Sequence, residues 1–421
     1  MRLVWRLAVL APSVVCLLAV TAPAADTPAT QETSLDAIAV PTLDLLEIIK
    51  QLGRKNPTRE PTEDPHRYKK PIVTVAPAIG YNPATGFSIG IGASAAFFRG
   101  DPETTHISAA LTSLRVTTKD QVVFNTRANV FGADDRWNFV SDTRANWTNQ
   151  DTYGLGTSTT PDQAVNVKYN YLRLFENGYK QIRRHLFAGA GFLYSGYTDI
   201  RPNPSNPAGL LGSSFVRRSN EFGFDLVRQR SAGASLNALV DSRDNSINPS
   251  RGFYADLKYQ MYFAGFLGGT STWQLSHGDL RKYVRLTRDA RQRLAFWLFG
   301  DLVTGGTAPY FDLPTTGGDT YGRSGRGYAQ GRFRGERMLY GEIEYRWTIT
   351  QNGLLGMVAF LNTETLSNQE AGEKLFDSFA TGAGAGLRLM LSKRSKTNLS
   401  VDFGQGKAGS RGLYVGVREA F

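Results

Sequence analysis

The side chains best suited to chemistry lie in one basic segment of the chain, from Ser324 to Trp347. Arginine carries a planar fork of donors that fits carboxylates and phosphates, so a dense group of arginines indicates an anionic partner. If the end of the segment is a β-strand, Glu342 and Glu344 share one face with an arginine, and apolar residues occupy the other face. The five arginines of the segment are Arg326, Arg332, Arg334, Arg337 and Arg346.

Other residues that could carry catalysis or bind a metal are scattered. Asp241, Asp244 and Asn245 offer oxygen ligands of the kind that Ca²⁺ prefers, but a proline and a glycine follow closely, and hydrogen bonds within a turn explain these acids better. We therefore expect no catalytic residue, no metal and no cofactor. The histidines are isolated along the chain and support neither a metal site nor a Ser–His pair: His66, His106, His185 and His277.

The first 25 residues have the features of a secretory signal peptide. Arg2 and Arg6 provide the positive start, an apolar stretch follows, and Ala22 to Ala25 provide small residues for cleavage. An uncleaved anchor is the alternative, which the short, proline-interrupted apolar stretch disfavours. Acylation of Cys16 would require a lipoprotein motif that its neighbours do not form. Because Cys16 is the only cysteine, we expect an exported chain without disulfides or thiolate metal ligands.

Residues 26–70 are polar and rich in proline and charge, which is typical of a periplasmic linker or tail. One short helix is predicted within them, from Leu43 to Gly53. The net charge of +11 falls to about +9 without Arg2 and Arg6. Since the remaining basic residues are scattered and the chain is exported, nucleic acid is excluded as a partner.

From Pro71 onward hydrophobicity alternates with a period of two. The segments Trp137 to Trp147 and Phe253 to Phe263 show it clearly, with aromatic residues on one face and charged residues on the other. Such ten-residue segments are typical of transmembrane β-barrels, whose closed sheet satisfies every backbone group in lipid. We predict an all-β, sixteen-stranded antiparallel barrel over residues 71–421. Its strands start near Ile72, Ser88, His106, Gln121, Arg136, Val165, His185, Ala232, Gly252, Trp273, Arg293, Met338, Leu355, Gly382, Leu399 and Leu413.

Short and long connections alternate along this set of strands. The short ones are expected at the periplasmic end and the long, Pro/Gly-rich ones outside the cell, within a barrel surrounded by outer-membrane lipid. The chain ends on an aromatic residue, as bacterial outer-membrane barrels commonly do, and the barrel-assembly machinery reads such a strand by β-augmentation. We predict that four residues form a lipid-facing row and an assembly signal: Leu413, Val415, Val417 and Phe421.

Several motifs in this order resemble the bacterial surface-antigen barrel family, the BamA/TamA-type superfamily of outer-membrane insertases and translocation pores. The resemblance covers residues 71–421 and implies localisation in the bacterial outer membrane. The motifs are DSRDNSINPSRGFY (Asp241 to Tyr254), APYFDLPTTGG (Ala308 to Gly318), GRGY…GRFR (Gly325 to Arg334), GEIEYRW (Gly341 to Trp347), the first hairpin IGYNPATGFSIGIG and the closing LSVDFGQG…GLYVGVREAF.

The resemblance implies that the loop between strands eleven and twelve folds into the lumen, where an arginine meets acids of the wall. Arg326, Gly327 and Tyr328 match its loop motif, and Glu344 matches the first acid, beside Glu342. The family's second acid lies in a Phe-x-Asp-x-Gly pattern on strand thirteen. Here Asn362 and Glu364 replace its Asp and Gly, which leaves open whether they complete the site. In the alternative, an ordinary porin, Arg326 merely lines the pore.

Other features bear on how such a barrel would work. The glycines of Gly382 to Leu389 alternate along a strand, and we expect them to make room for the returning loop. Pro77 and Gly416 weaken the predicted first and last strands, which is compatible with a seam that opens as a gate. The family usually carries periplasmic POTRA domains, for which residues 26–70 are too few. We expect a non-enzymatic protein that inserts or translocates proteins, or lipids, with a separate periplasmic subunit that handles its clients. The alternatives are a passive diffusion pore, which has lost client handling, and, with least support, an outer-membrane lipase.

Overall fold

The computed structural model describes residues 71–82, 85–202, 208–393, 396–417 and 419–421. The predicted signal peptide, linker and helix from Leu43 to Gly53 lie outside the described residues. Within the described part of the chain, no helix has the length and apolarity needed to cross a membrane.

Sixteen antiparallel strands form one sheet in which each strand pairs with the next along the chain. β1 and β16 lie next to each other, so the sheet curves into a barrel with a single seam. The predicted count is confirmed, and each strand starts within three residues of its predicted position. The strands are β1 (Ile72–Asn82), β2 (Gly86–Phe97), β3 (Ser108–Thr117), β4 (Val122–Phe131), β5 (Trp137–Thr152), β6 (Val165–Arg183), β7 (Leu186–Pro202), β8 (Gln229–Asp241), β9 (Gly252–Tyr262), β10 (Trp273–Arg285), β11 (Gln292–Gly306), β12 (Arg337–Thr348), β13 (Leu355–Leu366), β14 (Ala380–Ser392), β15 (Thr397–Gly406) and β16 (Arg411–Val417).

The alternation of side chains explains why these segments form a barrel rather than a soluble sandwich. On β9, Leu257 and Tyr259 are exposed on the outer surface, whereas Asp256 and Gln260, on either side of them in the sequence, are buried in the lumen. On β12, Ile343 is exposed while Glu342 and Glu344 are buried. Large apolar groups outside and carboxylates inside are the reverse of a soluble core, and they suit a wall between lipid and a polar lumen.

The connections differ strongly between the two ends of the barrel. The end with short turns is called periplasmic here and the other end extracellular, as is usual for outer-membrane barrels. The longest extracellular connection is residues 307–336, between β11 and β12; we call it the lumen loop. Residues 203–228, between β7 and β8, contain the one α-helix of the described residues, α1 (Ser214–Phe222).

Helix α1 supports the base of the lumen loop. It begins where the Ser213 hydroxyl accepts a hydrogen bond from the Val216 amide, and ends at Gly223 in the left-handed conformation. Its buried Arg218 forms an ion pair with Glu336 at 3.0 Å and donates to the carbonyl of Ala308 at 3.1 Å. Both ends of the lumen loop are thus held by one side chain of the neighbouring loop.

The end of the chain departs from the predicted lipid-facing row. Leu413 on β16 is exposed on the outer surface as expected, but the lipid-facing prediction is wrong for Phe421. β16 ends at Val417, and Phe421 is buried in the lumen, stacked on Trp297 at a centroid distance of 5.1 Å. The physical reason is Glu419, whose carboxylate accepts from Arg388 of the inner wall at 2.6 Å and draws the last residues inward.

Candidate functional site

The tip of the lumen loop inserts Arg326 into a ring of acids on the inner wall of the barrel. Its guanidinium group is fully buried and contacts Glu342 and Glu344 of β12. A third carboxylate, that of Asp402 on β15, accepts from Nη1 at 3.0 Å. The guanidinium carbon also lies 3.6 Å from the centroid of the Phe360 ring on β13. One arginine of the loop therefore joins three strands of the wall through charge and ring contacts.

The acids around Arg326 differ in the other partners they have. Glu344 also accepts from Arg346 at 2.6 Å, and Asp402 also accepts from Arg388 at 2.5 Å. Glu342 is contacted by no second arginine within 4 Å among the described residues, and its further partner is the Tyr340 hydroxyl at 2.5 Å. Glu342 therefore depends most on Arg326 for its charge compensation.

The two residues after Arg326 hold the loop backbone against β14, β15 and β16. The Gly327 amide donates to the Tyr414 hydroxyl at 3.0 Å, and that hydroxyl donates to the Tyr328 carbonyl at 2.8 Å. The Tyr328 hydroxyl donates to the carbonyl of Thr381 at 2.6 Å. The predicted motif Arg326, Gly327 and Tyr328 thus forms one continuous contact surface with the last three strands.

Glycines of the inner wall make this close approach possible. A Cβ atom on Gly404 would lie 2.8 Å from the Gly327 nitrogen, and one on Gly382 would lie 2.6 Å from the Arg326 carbonyl oxygen. Gly382 therefore has the role expected of it. The next alternating glycine, Gly384, instead leaves space for the ring of Phe360, because a Cβ atom on Gly384 would lie 2.3 Å from that ring.

Asn362 and Glu364 approach the loop differently from the acid that the resemblance implied. The amide of Asn362 donates to the Arg326 main-chain carbonyl at 2.9 Å, so it binds the backbone and not the guanidinium group. Glu364 is fully buried and accepts from the Thr316 hydroxyl at 3.0 Å, within the same loop. Neither residue replaces the missing acid; the third carboxylate at Arg326 comes from Asp402.

Sequence reasoning missed Asp402, although a signal for it was present. The segment VDFGQG has period two, which places Asp402 on the same inward face as Gly404 and Gly406. The register of the sheet confirms that face, because Asp402 lies opposite Gly386 of β14 and Tyr414 of β16. Its pairing with Arg326, 76 positions away in the chain, depends on the return of the loop into the lumen.

Arg332 and Arg334 of the lumen loop bind main-chain oxygens. Arg332 donates to the Thr159 carbonyl at 2.6 Å and stacks on Tyr153 and Phe333. Arg334 donates to the carbonyls of Tyr310, Phe311 and Leu313 within the loop itself. These two side chains shape the loop, whereas Arg326 of the same loop forms ion pairs with the acids of the wall.

The remaining predicted residues lie at the seam and along β16. Gly416 pairs with Ser400 of β15, and a Cβ atom there would lie 2.3 Å from a guanidinium nitrogen of Arg323. Pro77 lies in the middle of β1 and pairs with Ile91 of β2. Val415 and Val417 alternate with inward Tyr414 and extend the outer row that begins at Leu413.

The turn between β8 and β9 gathers charged groups at the periplasmic end. Asp241 and Arg243 form a buried bidentate pair, with distances of 2.9 and 2.7 Å. His106 from the β2–β3 turn lies 2.5 Å from Asp135 and 3.0 Å from the Arg243 carbonyl. Burial opposes protonation of His106, but Asp135 and Asp241 outweigh it, so the pKa of His106 is raised above its ordinary value.

The same turn answers the question of calcium binding. Asp244 accepts from the amides of Ser250 and Arg251, and Asn245 accepts from those of Ile247 and Asn248. The oxygens that could bind an ion are used by the turn, as the turn interpretation predicts. Across the described residues, no group of three or more His, Cys, Asp and Glu side chains could hold a metal.

Comparisons with known proteins agree with the fold. Residues 225–403 match the Omp85 superfamily domain, a span that covers the lumen loop, β12 and most of β15. The fold is similar to that of BamA from Haemophilus ducreyi lacking POTRA domains 1–3, with a TM-score of 0.51 and 12% identity over 82% of this chain and 69% of that one. It is similar to CdiB from Acinetobacter baumannii, with a TM-score of 0.50 and 12% identity over 83% of this chain and 59% of that one.

These likenesses concern the fold, because the identities are low, and this chain spans little more than half the length of CdiB. No curated protein sequence matches the chain. The superfamily match lies on the strands and the loop that carry the Arg326 site, and the strand count agrees with the BamA fold. The chain forms a sixteen-stranded antiparallel β-barrel, and its residues 225–403 match the Omp85 superfamily domain.

Proposed function

We propose that this barrel inserts or translocates proteins at the outer membrane, without enzymatic activity, and that Arg326 locks the lumen loop inside the barrel. The observation that carries the proposal is the burial of Arg326 among Glu342, Glu344 and Asp402. A loop that merely narrows a diffusion pore needs no such convergence of three carboxylates on one side chain. The superfamily match and the BamA-like fold support the same class of function.

Locking the loop in the lumen suits a barrel that inserts client chains into the membrane at its own wall. A lumen closed by the loop limits leakage while β1 and β16 remain the weakest junction of the sheet. Gly416 on β16 adds little packing there, and Pro77 on β1 lacks an amide hydrogen for pairing. The proposed partners are outer-membrane lipid, the barrel-assembly machinery, which would read Leu413, Val415 and Val417 during folding, and a separate periplasmic subunit that delivers clients.

The test is reconstitution of the full chain into lipid vesicles with an unfolded β-barrel protein as client. The rate at which the client becomes folded and protease-resistant is compared for the wild type, Arg326→Met and Arg332→Met. We expect the wild type and Arg332→Met to accelerate insertion, and Arg326→Met to be impaired, because Arg326 pairs with the acids of the wall and Arg332 does not.

Conductance measured across a planar bilayer tests the alternative function, a diffusion pore. The locked loop predicts small, fluctuating currents in the wild type and larger currents in Arg326→Met. A large, steady wild-type conductance, together with no acceleration of client insertion, would show that the barrel is a diffusion pore and would refute the proposal.

A further inference from the structure

A depression lies on the outer surface of the barrel, across β9 to β13, and its volume is about 530 Å³. We call it the Lys282 groove, after the one lysine in its lining. A well-formed concavity with a mostly apolar lining is a candidate binding site. Six large apolar side chains of the outer face border it: Phe253, Leu280, Phe296, Leu298, Ile343 and Leu361.

The register of the sheet arranges most of this lining in two parallel rows. The first row crosses four strands, and each residue pairs with the next: Lys282, Phe296, Ile343 and Leu361. The second row lies two residues further toward the extracellular end of each strand: Leu280, Leu298 and Gly341. A Cβ atom on Gly341 would meet no other atom within 4 Å. The glycine therefore interrupts the second row and leaves the groove open beside the first.

Lys282 is the one charged side chain that borders the groove from the outer surface. Arg281 and Glu342 border it too, but both are buried on the inner face, where Arg281 pairs with Asp279 and Glu342 pairs with Arg326. Lys282 itself is exposed, and in the part of the chain that the structure describes no carboxylate lies within 4 Å of its ammonium group. The groove thus combines an apolar lining with one positive charge that has no counter-charge on the same face.

The groove runs from near the periplasmic end of the barrel toward the middle of its wall. Lys282 lies three residues from the periplasmic end of β10, which is about 10 Å along the strand, and Leu361 lies six residues from that end of β13. A lysine near the edge of a membrane wall lays its stem along apolar surface and extends its ammonium group to the headgroup layer. The charged end of the groove is therefore placed at the level of lipid headgroups, and the apolar part at the level of acyl chains.

We propose that the Lys282 groove binds an anionic phospholipid of the periplasmic leaflet, with its phosphate at Lys282 and one acyl chain along the first row. The apolar lining fits an acyl chain, and the unpaired ammonium group attracts a headgroup that carries net negative charge. A zwitterionic headgroup offers a weaker attraction, because its own cation offsets the phosphate. The site rests on the proposed location of the barrel in a membrane, but not on the insertion of clients.

The experiment is titration of the detergent-solubilised full chain with phosphatidylglycerol or phosphatidylcholine, with bound lipid counted by native mass spectrometry. We expect the wild type to bind phosphatidylglycerol more tightly. Lys282→Gln should weaken phosphatidylglycerol binding about fivefold, the effect of one basic residue near a headgroup, and should remove the preference. Gly341→Leu fills the gap in the second row and should weaken the binding of both lipids. Both variants should fold, since each changed side chain points outward without a contact to replace.

Two matched controls change the outer surface away from the groove. Lys180→Gln removes an exposed lysine that lies three residues from the periplasmic end of β6, beside Trp137. Ala238→Leu adds a leucine at an exposed position of β8. Neither residue borders the groove, so both dissociation constants should stay at their wild-type values.

Three results would overturn the proposal. One is equal affinity for phosphatidylglycerol in the wild type, Lys282→Gln and Lys180→Gln, and another is an effect of Gly341→Leu no larger than that of Ala238→Leu. The third is loss of a barrel dimer in Gly341→Leu with lipid binding unchanged, which would assign the groove to a second copy of the chain. Client insertion is measured separately, so failure of the lipid site is distinguishable from failure of the proposed function.

Discussion

Replacement of Arg326 by methionine should destabilise the barrel because it leaves a buried carboxylate without a cation. Glu344 keeps Arg346, and Asp402 keeps its own arginine, but Glu342 keeps only the Tyr340 hydroxyl. Removal of one partner of a buried ion pair costs about 3–5 kcal/mol. We expect the free energy of unfolding to fall by about that amount, since methionine retains much of the length of the side chain.

A second substitution identifies the carboxylate responsible. Adding Glu342→Gln to Arg326→Met removes the uncompensated charge, and it should restore about 2 kcal/mol or more of the loss. Adding Glu344→Gln should restore little, because Arg346 would then lose its own partner. The two double variants differ only in which of two glutamates, two residues apart on the same strand face, is changed, which makes the comparison specific.

The assay is equilibrium unfolding by denaturant in detergent, followed by tryptophan fluorescence. Arg332→Met is the control within the same loop, because Arg332 has no carboxylate within 4 Å in the described residues; it should cost about 1 kcal/mol from lost hydrogen bonds. Equal losses for Arg326→Met and Arg332→Met, or equal recovery with either glutamine, would refute the charge argument.

Three further perturbations test other parts of the structure. The pKa of His106 is raised in the folded protein, so its protonated form stabilises the periplasmic end fully below pH 6.5, its ordinary pKa, and this stabilisation is lost as the pH rises. Denaturation should therefore show lower stability at about pH 9 than at about pH 6, and His106→Gln should remove that difference. Gly404→Val should prevent the loop from docking, since its Cβ would meet the Gly327 amide, and bilayer currents should rise while the barrel still folds. Phe421→Ala should lower the free energy of unfolding by about 3 kcal/mol through its lost contact with Trp297, measured by denaturation; no change would mean that the ring does not pack in the lumen.

The strands of this barrel were predictable because each strand has one face toward lipid and the other toward the lumen. Because of that requirement, apolar and polar residues alternate with a period of two in segments such as Phe253 to Phe263, and turns separate these segments at regular intervals. It applies only within a strand. The prediction failed for Phe421, which lies beyond the end of β16, where the Glu419 carboxylate and not the alternation decides the direction of the chain.

The site was predictable only in part, for a related reason. Glu342 and Glu344 share a strand face that the sequence displays directly, and the loop motif around Arg326 carries a family resemblance. Contacts across the lumen have no such local signal. Asp402 contacts Arg326 although β15 lies four strands beyond the loop, and His106 contacts the Arg243 carbonyl although 137 positions of sequence separate them. Only closure of the barrel brings these pairs together.

The position of the loop itself is the central claim, and thiol labelling tests it most directly. Cys16 lies in the predicted signal peptide, so Ser324→Cys would provide a single thiol beside Arg326, at a position that is 3% exposed. The measurement is the rate at which a polar maleimide labels this thiol in intact membranes, relative to Leu211→Cys on the exposed β7–β8 loop. The lock predicts slow labelling that accelerates at least about tenfold when Arg326→Met is added. Fast labelling of Ser324→Cys with Arg326 in place would contradict the account.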